Sequence, residues 1–156
     1  MHDLVIDEEA IGASGPMSLY LAAVDELDRR YGGSDESAMS PDELSSPTGV
    51  FVVARMNGAL AGGVGVRPIG DSFKHLGEVK RLWVRPDLRR AGVATALMSD
   101  VERRARERGF HQLYLETGQK QPEAIALYRS SGWRQVEEFP PGAFTHDSAL
   151  RFSKTL

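Results

Sequence analysis

Arg89-Arg90-Ala91-Gly92-Val93-Ala94 is the segment of this 156-residue chain whose residue types could hold an anion. An apolar stretch, Leu82-Trp83-Val84, runs into Pro86, which ends it. The turn that follows opens a helix with an apolar face at Val93, Leu97, Val101 and Ala105. The first N–H groups of a helix lack internal partners and lie at the positive end of its dipole, so they offer donors to a phosphate. A cation at that end is disfavoured by about 0.3–1 kcal/mol unless an anion is bound, and Arg89 and Arg90 both sit there. Gly92 has no Cβ to keep a phosphate away from the backbone. The segment lacks the Lys-Ser or Lys-Thr pair of a P-loop and the third glycine of a dinucleotide fingerprint.

Other chemistries are poorly served. The chain has no cysteine, which removes disulfides, thiolate metal sites and a cysteine nucleophile. His2, His75, His111 and His146 show no close ligand spacing, so no metal is expected. Gly12-Ala13-Ser14-Gly15 approaches a nucleophile elbow but has its second glycine one position early, and it reads instead as a cap on the first helix. Arg103-Arg104-Ala105-Arg106-Glu107-Arg108 is basic, yet its acids and a sequence pI of about 5.8 make it a solvated helix face and not a nucleic-acid surface. No apolar run nears the roughly 18 residues of a membrane span, and Met1-His2-Asp3 lacks the layout of a signal peptide, so a cytoplasmic protein is expected. Residues 1–50 carry a balance of −9 and residues 51–156 one of +6, within a net charge of −3. The basic part suits a polyanionic ligand and the acidic part a cationic one.

These groups need a frame. The chain length suits one domain. Asp3–Ile6 reads as a first strand. Gly15-Pro16 starts a helix to about Arg30, with Leu19, Ala22, Ala23, Leu27 and Tyr31 on one face, and Gly32-Gly33 ends it. Residues 34–48 have no strong period and read as a loop, with a short helix around Pro41–Leu44, and as a candidate substrate lid. Two strands, 50–54 and 60–66, flank Asn57-Gly58, the strongest turn signal present. A turn at 68–72 leads to a strand at 77–84. After the motif helix come a strand at 112–117 and a helix opening at Pro122, with Ala124, Leu127 and Tyr128 on its apolar face and Gly132 at its end. Residues 134–139 and 149–152 read as a closing antiparallel pair around Pro140-Pro141-Gly142. Strand, helix, strand in succession makes the strands at 77–84 and 112–117 parallel. The fold class expected is α/β, a mixed sheet with helices on both faces.

Arg89-Arg90-Ala91-Gly92-Val93-Ala94 resembles motif A of the GCN5-related N-acetyltransferases, in which Arg or Gln, two residues, Gly, one residue and Gly or Ala hold the pyrophosphate of acetyl-CoA. Glu78-Val79-Lys80-Arg81-Leu82-Trp83-Val84-Arg85-Pro86 resembles the family's fourth strand, and the segment from Pro122 to Trp133 its motif B. The resemblance covers residues 50–156, an acetyl-CoA-binding core. Residues 1–48 match in general layout only, as a helical acceptor-side region.

The resemblance implies a V-shaped split between the two parallel strands. Pantetheine would pair with backbone near Leu82, Trp83 and Val84, and pyrophosphate with N–H groups from Arg90 through Ala91, Gly92, Val93, Ala94 and Thr95. It also implies direct attack of an amine on the thioester, with Tyr128 as the acid that protonates the departing CoA thiolate. Glu78 and Glu116 border the split and are the candidate bases. Glu78 aligns with a carboxylate that many members use through water. The acidic balance of residues 1–50 points to the amine of a small cationic molecule as the acceptor. A protein amino group, or a non-catalytic CoA-binding sensor or partner subunit, is the alternative. No nucleic-acid or membrane partner is expected, and a homodimer is compatible with the sequence.

Overall fold

Val50–Met56 (β2) presents unbroken apolar side chains at 50–54, all buried, and both of its faces are covered. Val50, Val52 and Ala54 enter one cluster with Leu97 and Val101 of the helix Val93–Glu107 (α2). Phe51 and Val53 enter a second cluster with Leu19 and Tyr20 of the helix Ser14–Tyr31 (α1). Helices therefore flank the sheet on both sides. The computed structural model describes residues 3–32, 39–70, 75–141, 143, 145–146 and 148–156.

The remaining elements are Leu4–Glu8 (β1), Ala59–Pro68 (β3), Leu76–Val84 (β4), Gln112–Thr117 (β5), Pro122–Ser130 (α3), Arg134–Val136 (β6) and Leu150–Thr155 (β7). Among the described residues they form one open seven-stranded sheet in the order β1-β2-β3-β4-β5-β7-β6. Every pairing is antiparallel except β4 with β5, which is parallel as α2 between them requires. The β2–β3 turn has φ of +51° at Asn57 and +86° at Gly58, the positive pair that a two-residue hairpin turn demands. The face read at Val93, Leu97, Val101 and Ala105 is wholly buried.

Some boundaries differ from the sequence reading. The N-cap of α1 is Ala13, within the segment Gly12–Gly15 but without a side-chain hydrogen bond, so the helix begins at Ser14, one residue before the expected Gly15; Ser18 Oγ donates to Gly15 O at 2.7 Å. The closing pair is shorter on one side and longer on the other, and β7 inserts between β5 and β6 because its whole length pairs with β5 from Gln112 to Thr117. Pro41–Leu44 is a 3-10 turn with a capping box from Ser40 and Glu43. His2, Gly33, residues 34–38 of the expected lid, residues 71–72 of the expected turn and Gly142 lie outside the described residues.

Candidate active site

β4 and β5 bridge at only three positions, Leu76 with Gln112, Gly77 with Leu113 and Glu78 with Tyr114. Beyond Tyr114 the two strands separate. On its other edge β4 changes register against β3 between Gly63 and Gly65, so that Arg81 and Leu82 together face Val64. Arg81 takes φ of +63° at this bulge. A bulge bends the strand that carries it, which turns this half of β4 away from β5. The parted strands leave backbone N–H and C=O groups without a neighbouring strand to bond.

A cavity of about 490 Å³ fills the gap. Val79 to Trp83 of β4 form one wall and Leu115 to Gly118 the other. Ala23, Glu26, Leu27 and Tyr31 of α1 cover it, and Tyr128 of α3 and His146 complete it.

At the far end of β4, Pro86–Leu88 makes a 3-10 turn. Arg90 and Gly92 then take φ of +65° and +85°. Gly92 is the N-cap of α2, and a Cβ built on it would find open space. The first intrahelical bond runs from Ala96 N–H to Gly92 O, so the N–H groups of Val93, Ala94 and Thr95 precede the ladder. No acidic side chain occupies this first turn. The turn therefore fits a pyrophosphate, with its first N–H groups outside the helix ladder and no carboxylate in the first turn to offset the dipole.

The two arginines divide. Arg90 is exposed. Arg89 Nε donates to Val84 O at 2.8 Å and its Nη2 to Glu26 Oε1 at 2.7 Å, with the guanidinium 5.9 Å from the Trp83 ring. Arg89 thus ties the turn to β4 and α1, where the sequence reading had it facing phosphate.

Of the three expected catalytic residues, Tyr128 and Glu116 are brought together on the cavity wall and Glu78 is not. Tyr128 lines the cavity at 6% exposure, and its burial pushes the phenol's pKa up, because the phenolate would lose hydration. Glu116 also lines it. Its Oε1 lies 2.5 Å from His146 Nδ1 and its Oε2 accepts the His146 N–H at 2.8 Å. Glu78 is not on the cavity wall. Its side chain is 2% exposed, and Oε1 accepts from Arg67 Nε at 3.0 Å and Nη2 at 2.9 Å. His146, Arg67 and Glu26 were missed as neighbours of the expected residues, and no local signal could have found them: His146 is 30 residues from Glu116.

An open sheet whose parallel pair parts beside a bare helix N-terminus is the frame of an acyl-CoA-dependent transferase. The chain belongs to the acetyltransferase (GNAT) family, whose sequence profile matches residues 20–133, and it is an enzyme of the N-acetyltransferase class. It is 35% identical over 122 residues to the IAA acetyltransferase of Azospirillum brasilense, across 76% of this chain and 78% of that protein. It is 34% identical over 106 residues to human N-acetyltransferase 8, across 66% of this chain but only 46% of that longer protein. The PaiA N-acetyltransferase of Thermoplasma acidophilum, solved in complex with coenzyme A, shares the fold with a TM-score of 0.73 at 16% identity, over 99% of each chain.

Proposed function

We propose that this chain transfers the acetyl group of acetyl-CoA directly to the primary amine of a small cationic molecule. The parting of β4 and β5 beside the first turn of α2 is the observation that carries this reading. Pantetheine lies along the unbridged edge of β4 at Leu82, Trp83 and Val84, where its amides find backbone partners. Pyrophosphate meets the N–H groups of Val93, Ala94 and Thr95, with Arg90, Ala91 and Gly92 in the turn before them.

A chain without cysteine favours direct attack within a ternary complex. The amine nitrogen bonds to the thioester carbon, the C–S bond breaks, and Tyr128 gives its proton to the departing thiolate. The Tyr128 phenol is protonated at neutral pH, as any phenol is, so its proton is in place when the thiolate forms beside it. Residues 1–48 supply the acceptor side: α1 roofs the cavity, and the −9 balance of residues 1–50 draws in a cation.

Calorimetry with acetyl-CoA, followed by thiol release across polyamines, amino acids, aminoglycosides and peptides, tests this. Binding together with release on one or more small cationic amines is expected. A purified protein that fails to bind acetyl-CoA would sink the reading, and binding without release on any amine would favour a CoA sensor.

A further inference from the structure

Glu116 and His146 form a carboxylate–imidazole pair on the cavity wall that cofactor binding leaves without a purpose. Glu116 is 6% exposed in its side chain, and both of its oxygens are directed to one residue: Oε1 to Nδ1 at 2.5 Å, Oε2 to the backbone N–H at 2.8 Å. Arg151 of β7 holds the same unit, with Nη2 donating to His146 O at 2.8 Å and Nε 3.6 Å from Glu116 Oε2. An ionised carboxylate can only accept, so Nδ1 donates to Glu116, and in the neutral imidazole Nε2 is the nitrogen that can take a proton. His146 itself is 37% exposed and reaches the cavity.

The pair also stands on the useful side of the sheet. Leu113 and Leu115 are buried in the cluster that contains Tyr128. Alternation along β5 turns Glu116 to the opposite face. An acid on one side of the split and a proton acceptor on the other is what attack from one face and departure of sulfur toward the other requires.

The geometry points to His146 as the base that deprotonates the acceptor amine, with Glu116 as the positioning residue that fixes its tautomer and orientation; this rests on the acetyl-transfer reading above. An alkylammonium loses two protons on becoming an amide. His146 Nε2 takes the first and passes it to solvent, and the freed amine attacks the thioester carbon. The second leaves the nitrogen as the C–S bond breaks and replaces the proton that Tyr128 has given to sulfur. Glu26 and Tyr31 of α1, Lys80 and Arg81 of β4, Tyr128 of α3 and Arg151 of β7 are the other titratable or charged groups around this space.

The test uses the panel amine that the unmodified enzyme acetylates fastest, with thiol release followed against pH and acetyl-CoA affinity measured by calorimetry. His146→Gln should lower kcat at neutral pH by about 10²-fold and leave acetyl-CoA affinity unchanged, and rate should return above the amine's own pKa, where no base is needed. Glu116→Ala should lower kcat about 10-fold or more at unchanged KM, and the double variant should be no slower than His146→Gln alone, as expected of residues acting as a unit. Full turnover in His146→Gln, or losses that simply add, would overturn the assignment while leaving acetyl transfer intact. Silence of the unmodified enzyme on every amine would instead remove the acetyl-transfer reading and this assignment with it.

Discussion

Arg89 Nη2 lies 2.7 Å from Glu26 Oε1, joining the turn after β4 to α1. Glu26 Oε2 is 3.4 Å from Arg30, and Arg30 Nη1 is 2.8 Å from Glu123 in the first turn of α3. One line of ion pairs thus runs along the cavity rim through three elements. Arg89 also holds Val84 O. Arg89→Ala should therefore cost about 1–2 kcal/mol in urea denaturation, since Val84 O loses its donor as well as Glu26 its ion pair. Glu26→Gln should cost less than about 1 kcal/mol, as part-exposed pairs do. Equal losses would show that the carbonyl contact contributes nothing.

Glu78 and Arg67 are a more deeply buried pair, at 2% and 11% side-chain exposure. Glu78→Ala leaves a guanidinium without its main partner and should cost about 3–5 kcal/mol, part of which Arg67→Met in the same chain restores. Turnover per folded molecule should stay within about 10-fold of the unmodified enzyme. A loss of about 10²-fold at unchanged stability would place the base at Glu78.

Tyr128→Phe should lower kcat by about 10²-fold and leave acetyl-CoA affinity unchanged by calorimetry. The pH dependence follows from the raised pKa of the phenol. The folded protein keeps this proton above pH ~10, where a phenol in the unfolded chain ionises, so Tyr128 detracts nothing from stability below that pH and stability falls as pH rises past it. Tyr128→Phe should flatten that alkaline fall in stability. An unchanged kcat would assign Tyr128 to packing.

Gly92→Leu should weaken acetyl-CoA binding at least about 10-fold, because a side chain would occupy the open space before the first turn of α2. The residue holds φ of +85°, so strain should add roughly 1–2 kcal/mol of destabilisation without unfolding the domain. Calorimetry and thermal melting read the two effects separately. Undiminished affinity would move the phosphate contact elsewhere.

Local patterns carried most of the fold. The 3.6-residue period of Val93, Leu97, Val101 and Ala105, the Asn57-Gly58 turn and the Pro122 and Gly132 helix limits each depend on residues within a few positions of one another, and each is found where the pattern put it. The partners of charged side chains were not legible. Arg89 differs from Arg90 in holding Val84 O and in being met by Glu26, 63 residues earlier. Glu78 is drawn to Arg67 from the adjacent strand because β3 and β4 pair with Arg67 opposite Glu78.

The sequence by itself determined the alternation of strands and helices, the glycine at the start of α2 and the tyrosine on α3, because backbone preference and apolar period act over a single turn or strand. Only the tertiary structure decided which side chains line the cavity between β4 and β5. Register places Tyr114 as the last bridge between β4 and β5, the bulge at Arg81 turns β4 aside, and β7 brings the segment at His146 against Glu116. Contacts between segments 30 or more residues apart arise from packing the whole sheet, and no short stretch of chain encodes them.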